Sequence, residues 1–135
     1  MHVDGACHCG AISLTAEIDA ARVVVCHCTD CQVLSGSPFR VVAVAPVESV
    51  RLQGAPRHYL KLAESGNKRV QAFCPECGTP LYSCATDKPT HFNLRLGILR
   101  QRDALTPTLQ IWQRSSLAWA QHLYSVRSCP QQEAW

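Results

Sequence analysis

Seven of the nine cysteines fall in three tight groups: Cys7-His8-Cys9, Cys26-His27-Cys28-Thr29-Asp30-Cys31 and Cys74-Pro75-Glu76-Cys77-Gly78. Thiolates are soft ligands, and sets of them at such spacings hold zinc. Seven is one too few for two closed tetrahedral sites. It suits one closed four-cysteine site and one three-thiolate site with an exchangeable corner. Closed zinc sites stabilise folds, whereas open ones do chemistry. The count therefore predicts two zinc ions per chain, one structural and one catalytic.

Spacing sorts the ligands. Two residues between Cys74 and Cys77 let a tight turn aim both sulfurs at one metal. Pro75 sets φ early in that turn, and Gly78 supplies the positive φ that turns backbone N–H groups toward sulfur. A thioredoxin-type redox pair would open a helix, but Gly78-Thr79-Pro80 follows, and Pro80 sits badly in a helix interior. Cys7 and Cys9 point the same way from an extended chain. They cannot complete a tetrahedron alone, and their natural complement is Cys74 with Cys77. Cys26 and Cys28 share a face of a strand end, and a turn after Thr29 brings Cys31 round to them. Cys84, Cys129 or a histidine as fourth ligand would close that second site. An iron–sulfur cluster would also accept such thiolates.

The elements that must position these groups are mostly strands. Residues 11–18 alternate cleanly, with Ile12, Leu14, Ala16 and Ile18 on one side. Residues 22–25 are β-branched and run into the second cysteine group. Further strands are expected at 39–47, 58–62, 69–73, 81–84, 91–96 and 108–112, with a turn at Glu64-Ser65-Gly66-Asn67. Single helical turns are expected at 30–34, stopped by Gly36 and Pro38, and at 100–105 before Pro107.

The chain has 135 residues, 47% hydrophobic and 17% charged, which fits one globular domain over 1–135 and excludes disorder. The net charge of +3 is spread, with no basic run beyond Lys68-Arg69, so nucleic acid is not an expected partner. No apolar run approaches a membrane span, and Met1-His2-Val3-Asp4-Gly5 opens no signal peptide. A cytoplasmic, reducing setting is expected, with thiols free for metal. A secreted disulfide scaffold is disfavoured by the odd cysteine count and by the length.

These motifs, in this order, resemble the glutathione-dependent formaldehyde-activating enzyme (GFA) family, which also includes centromere protein V. The likeness covers nearly the whole chain. It rests on Gly5-Ala6-Cys7-His8-Cys9-Gly10-Ala11, on Cys26-His27-Cys28-Thr29-Asp30-Cys31-Gln32 with Ser35-Gly36-Ser37-Pro38-Phe39, and above all on Phe73-Cys74-Pro75-Glu76-Cys77-Gly78-Thr79-Pro80-Leu81-Tyr82. Leu96-Gly97-Ile98-Leu99 and Ile111-Trp112 with Trp119 are weaker landmarks. The resemblance implies a β-tent of packed antiparallel sheets. It implies a structural zinc on Cys7, Cys9, Cys74 and Cys77, and a catalytic zinc on Cys26, Cys28 and Cys31. It also implies a thiol such as glutathione and a small aldehyde as substrates. Gln101, Arg102 and Gln110 depart from the family's pattern, and bear on substrate more than on metal.

The expected activity is that of a carbon–sulfur lyase acting on a thiol adduct of a small aldehyde, like S-hydroxymethylglutathione. The alternative is a zinc-stabilised binding module without catalysis, which needs no open corner. Other residues read more plainly. His8 and His27 are spacers pointing away from metal, with His27 a minor candidate for a base. Asp30 is a helix cap. Ser35, Gly36 and Ser37 line a pocket or form a plain turn. Trp112 and Trp119 belong to the core, Cys84 is a small buried apolar residue, and Cys129 is a tail thiol.

Overall fold

Alternating apolar and polar residues sort the chain into two sheets in a computed structural model that describes residues 1–133. The strands are β1 (His2–Ala6), β2 (Ser13–Glu17), β3 (Val23–Cys26), β4 (Arg40–Pro46), β5 (Arg51–Gln53), β6 (Arg57–Leu62), β7 (Lys68–Phe73), β8 (Pro80–Ala85), β9 (His91–Arg95) and β10 (Leu109–Ile111). The α-helix, α1 (Thr29–Ser35), lies between β3 and β4. Strands β1-β2-β5 form a small antiparallel sheet. The others form a seven-stranded sheet in the order β10-β3-β4-β9-β8-β7-β6. The fold is mostly β, but not purely antiparallel: β10 runs parallel to β3. No helix among the described residues is long and apolar enough to cross a membrane.

The large sheet has two unlike faces, because side chains alternate across a strand. On one face, Ala43, Ala45, Val70, Ala72 and Leu94 pack with Val3, Leu14 and Ala16 of the small sheet, all buried in one core. Val3, Ile12, Leu81 and Leu99 are fully enclosed. Burying side chains of this size contributes roughly 1.5–3 kcal/mol each. The opposite face mixes polar residues with valines, Val24 of β3 and Val42 and Val44 of β4 among them. His91, Asn93 and Arg95 alternate with Phe92 and Leu94 along β9, and Arg40 lies on the same side of β4.

Eight expected strands form, with ends shifted by a residue or two. β1 and β5 were not expected. β1 contains Asp4 and Gly5, poor strand formers, and is held by pairing with β2 and by a bridge from Gly5 to Leu99. That bridge needs glycine, since a Cβ there would lie 2.4 Å from the Ile98 carbonyl oxygen. The turn at 63–67 forms as expected, with Gly66 at φ +86. The helix is longer than the expected single turn and ends at Gly36, φ +61, whose N–H reaches the carbonyls of Gln32 and Val33. At 100–105 only a short 3-10 turn forms, over Arg102–Ala104.

Candidate metal centres and active site

Cys7 follows β1, while Cys74 and Cys77 lie in the turn between β7 and β8. The two turns face each other. In the first, Cys7 N–H donates to the Ile12 carbonyl and Gly10 adopts φ +81. In the second, Cys74 N–H donates to the Thr79 carbonyl, Gly78 N–H to the Cys74 carbonyl, and Gly78 adopts φ +74. All four sulfurs lie within 4.8 Å of one another. Cys7 and Cys9 Sγ are 3.6 Å apart, and Cys9 and Cys74 Sγ 3.8 Å. A disulfide needs about 2.05 Å. Four sulfurs at about 2.3 Å from a tetrahedral zinc sit roughly 3.8 Å apart. The donor set therefore fits zinc. The Thr79 hydroxyl, 3.1 Å from Cys77 Sγ, is the largest cause holding that thiol down at about 5. The turns are linked again by His8 N–H to Thr79 Oγ1 at 3.1 Å.

The second group is local. Cys26 ends β3, Cys28 is the N-cap of α1, and Cys31 lies in its first turn. The Cys28 sulfur accepts the Cys31 N–H at 3.3 Å, so the cap is a metal-ligand candidate rather than the expected Asp30. Asp30 instead pairs with Lys61 at 2.8 Å and ties the helix to β6. The three sulfurs lie within 4.8 Å of one another, and among the described residues no fourth His, Cys, Asp or Glu donor joins them. Cys84 is buried on the core face and Cys129 is exposed elsewhere. A hydrogen bond from the Cys26 thiol, then the charge of Arg40, holds Cys31 down at about 5. The same bond pushes Cys26 up. Three thiols so close cannot all ionise without a cation between them, so this set also fits zinc.

The three thiols open on a cleft of about 750 Å³ over this mixed face of the large sheet. Its apolar part includes Val24, Val42, Val44, Leu109 and Ile111. Its charged part is unbalanced. Of its acids, Asp30 is paired with Lys61, and Glu64 with Arg114. That leaves Arg22, Arg40, Arg69 and Arg95. Arg40 and Arg95 are 6% and 7% exposed. Both donate to one neutral acceptor, Gln71 Oε1, at 3.1 and 2.6 Å. Each Nε–H is buried without an acceptor, which costs about 1–3 kcal/mol for an uncompensated group. Burial, then the Arg40 charge, lowers Arg95 to about 9, so it stays charged at neutral pH.

Several expectations need correction. His27 points away from the cluster, as expected of a spacer: it is buried, its Nε2 bonds Gln110 Oε1 at 2.7 Å, and its ring meets Phe39 edge-on at 5.6 Å. That removes it as a base. Ser35 does not line the cleft, because its hydroxyl donates to the Cys31 carbonyl at 2.6 Å; Gly36 and Ser37 form the helix stop. Trp119 is 57% exposed rather than core. Trp112 lines the cleft at φ +57, a rare conformation for a bulky residue, with Arg114 stacked 5.0 Å over its ring. Gln101 bonds both the backbone N–H and the carboxylate of Asp4, and Arg102 donates to the Leu99 carbonyl, away from the cleft. Gln110 does not line the cleft either. Sequence reasoning missed Arg40, Gln71 and Arg95. The signal was present in His91-x-Asn93-x-Arg95, a polar file alternating with half-buried Phe92 and buried Leu94.

Comparison with known proteins agrees with this geometry. An uncharacterized lyase of Schizosaccharomyces pombe, C29B12.13, is 27% identical over 108 residues, which is 80% of this chain and 76% of that protein. The crystal structure of a Rhodobacter sphaeroides protein superposes with a TM-score of 0.60 at 23% identity, over 79% of this chain and 98% of the other. That likeness speaks to fold alone. The family model described as glutathione-dependent formaldehyde-activating enzyme matches residues 2–115, a span holding all seven clustered cysteines and the whole cleft. The chain belongs to the glutathione-dependent formaldehyde-activating enzyme family.

Proposed function

We propose that this protein is a carbon–sulfur lyase that interconverts a thiol and a small aldehyde with their S-hydroxyalkyl adduct. In its simplest form the reaction is RSH + H2C=O ⇌ RS–CH2–OH. Sulfur bonds to the carbonyl carbon, and the thiol proton ends on the carbonyl oxygen. One observation carries the reading: three thiols from one short segment open on a large cleft with no fourth donor beside them among the described residues. The family and the lyase-named relative support it.

A zinc ion on Cys26, Cys28 and Cys31 supplies, when bound, a Lewis acid that favours thiolate over thiol at its remaining corner. The chain's own residues do the rest. The joint between β3 and α1 fixes the three sulfurs, because Cys28 both caps the helix and faces the cleft. Arg40 stands opposite Cys26 in register and lends positive charge. Val42, Val44 and Leu109 give the small carbonyl an apolar wall that excludes water.

The remaining assignments belong to the same reading. Cys7, Cys9, Cys74 and Cys77 hold a structural zinc. The stacked sheets are the family's β-tent, residues 1–135 are one domain, and the protein works in the reducing cytoplasm. Glutathione and formaldehyde are the pair implied by the family name. Exchange NMR at equilibrium, over a panel of thiols and small aldehydes, tests the activity. Wild type should exceed buffer with at least one pair. Buffer-level exchange with every pair, in protein holding both zincs, would leave a binding module as the better reading.

A further inference from the structure

We propose that Arg40 and Arg95, held side by side by Gln71, are the counter-charge of the Cys26, Cys28 and Cys31 group, and that they select an anionic over a neutral ligand for its exchangeable corner. This rests on the lyase reading above and deepens it by stating which charge that corner accepts.

Arg40 and Arg95 are both more than nine-tenths buried in the cleft. Buried arginines ordinarily have an acidic partner. Among the described residues these two pair with no carboxylate. Gln71 Oε1, which is neutral, accepts from both, and each retains a buried Nε–H without an acceptor. They are also close to one another. Val42 stands opposite Arg95, which makes Arg95 the diagonal neighbour of Arg40 across β4 and β9, about 7–8 Å away on the same face. Two buried like charges so placed need negative charge nearby. Asp30 and Glu64, the carboxylates of the cleft, are engaged by Lys61 and Arg114. The other cleft groups that ionise to anions are the thiols of Cys26, Cys28 and Cys31.

The sheet brings the two kinds of charge together. Cys26 stands opposite Arg40 in the register of β3 and β4, so both side chains leave the same face. The influence runs both ways. After the hydrogen bond from Cys26, the charges of Arg40 and then Arg95 hold Cys31 down. Burial and then the Arg40 charge lower Arg95, and the charges of Cys31 and Cys26 act against that fall. Three thiolates with one dication leave a single negative charge, and a thiolate in the open corner makes two. Two guanidiniums balance that state. A neutral fourth ligand leaves one positive charge over. The charge of the donor atom is therefore what the pair reads, whatever the rest of the ligand carries.

The test is titration of the cobalt(II)-loaded full chain at one neutral pH, followed by the visible ligand-field bands. Azide and imidazole are both nitrogen donors and differ in charge, and 2-mercaptoethanol binds as a thiolate with no other charge. In Arg95→Met, azide and 2-mercaptoethanol should each bind about tenfold more weakly, while imidazole binds as in wild type. Arg95→Lys should restore most of the loss. Gln71→Glu gives the pair an acid of its own. It should raise the melting temperature and weaken azide in the same way, and it keeps the test open if Arg95→Met fails to fold. Azide binding as in wild type in the folded variants overturns the counter-charge. So does an equal loss for imidazole, and so does a loss seen with 3-mercaptopropionate alone, which would make the pair a holder of carboxylates. Bands that respond to ligands without regard to charge remove the counter-charge and keep the open corner. A charge preference without any thiol and aldehyde exchange above buffer keeps the counter-charge and removes the lyase. Bands that respond to no ligand mean a closed corner and overturn both.

Discussion

Cys7, Cys9, Cys74 and Cys77 come from two turns more than sixty residues apart, whereas Cys26, Cys28 and Cys31 come from a single joint of six residues. The first set links the end of β1, in the small sheet, to the β7–β8 turn of the large one. Cys7 and Cys74 are buried and Cys9 and Cys77 exposed, with the Ile12 N–H on Cys7 Sγ and the Thr79 hydroxyl beside Cys77 Sγ. The second set links nothing distant, and its sulfurs face a cationic cleft. The difference is one of reach. A metal that closes a long loop removes much freedom from the unfolded chain, and one that closes six residues removes little. The same ligand type can therefore be spent on the fold in one place and left available for chemistry in another.

The largest way to break this contrast is Cys77→Ser. Structural zinc contributes about 10–16 kcal/mol of apparent binding energy in small peptides, against a whole-domain stability of about 5–15 kcal/mol. The variant should be unfolded or insoluble by circular dichroism. Cys28→Ser should stay folded, lose one zinc by elemental analysis, and exchange thiol and aldehyde at the buffer rate. The reverse order of stabilities would swap the two roles.

A smaller effect sharpens the comparison. Gly5→Ala, two residues before Cys7 of the four-thiolate site, pushes a methyl group into the Ile98 carbonyl. It should cost about 1–3 kcal/mol by thermal melt and leave exchange at the cleft intact. Lost exchange with unchanged stability would contradict the separation of the sites.

The smallest effect concerns protons. With metal removed from the three-thiolate group by a mild chelator, Cys31 should be the thiol that stays ionised. Its value is lowered to about 5, first by the Cys26 hydrogen bond and then by Arg40. The lowered direction means thiolate above that pH and thiol below it. Alkylation mapped by mass spectrometry should therefore rise near pH 5 at Cys31, not near the free-thiol value of about 8.5. Arg40→Met should move the rise upward.

Much of this contrast was legible in the sequence, because ligand spacing is local. Cys-x-x-Cys followed by glycine fixes a turn wherever it falls, and the alternation in 11–18 and 91–96 fixes strand faces. What spacing could not reveal was set by tertiary pairing. β1 is a poor strand by composition, and forms because β2 and Leu99 receive it. Trp112 and Trp119 looked like core by residue type. Trp112 lies on the cleft and Trp119 is exposed, while the small Ala120 beside it is the residue that is buried. The meeting of Arg40, Arg95 and Gln71 depends on strand order across β4, β9, β8 and β7, which no local pattern encodes.

The central claim is that one thiolate set is closed and the other has an exchangeable corner. The most direct test replaces zinc with cobalt(II) in the full chain and follows the visible ligand-field bands during titration with glutathione. Sulfur replacing water at the three-thiolate site should shift and intensify part of the spectrum. Cys28→Ser should retain the four-thiolate spectrum and show no response. Bands that stay unchanged in wild type with glutathione and with a panel of other thiols would mean that both sites are closed, and would contradict the account.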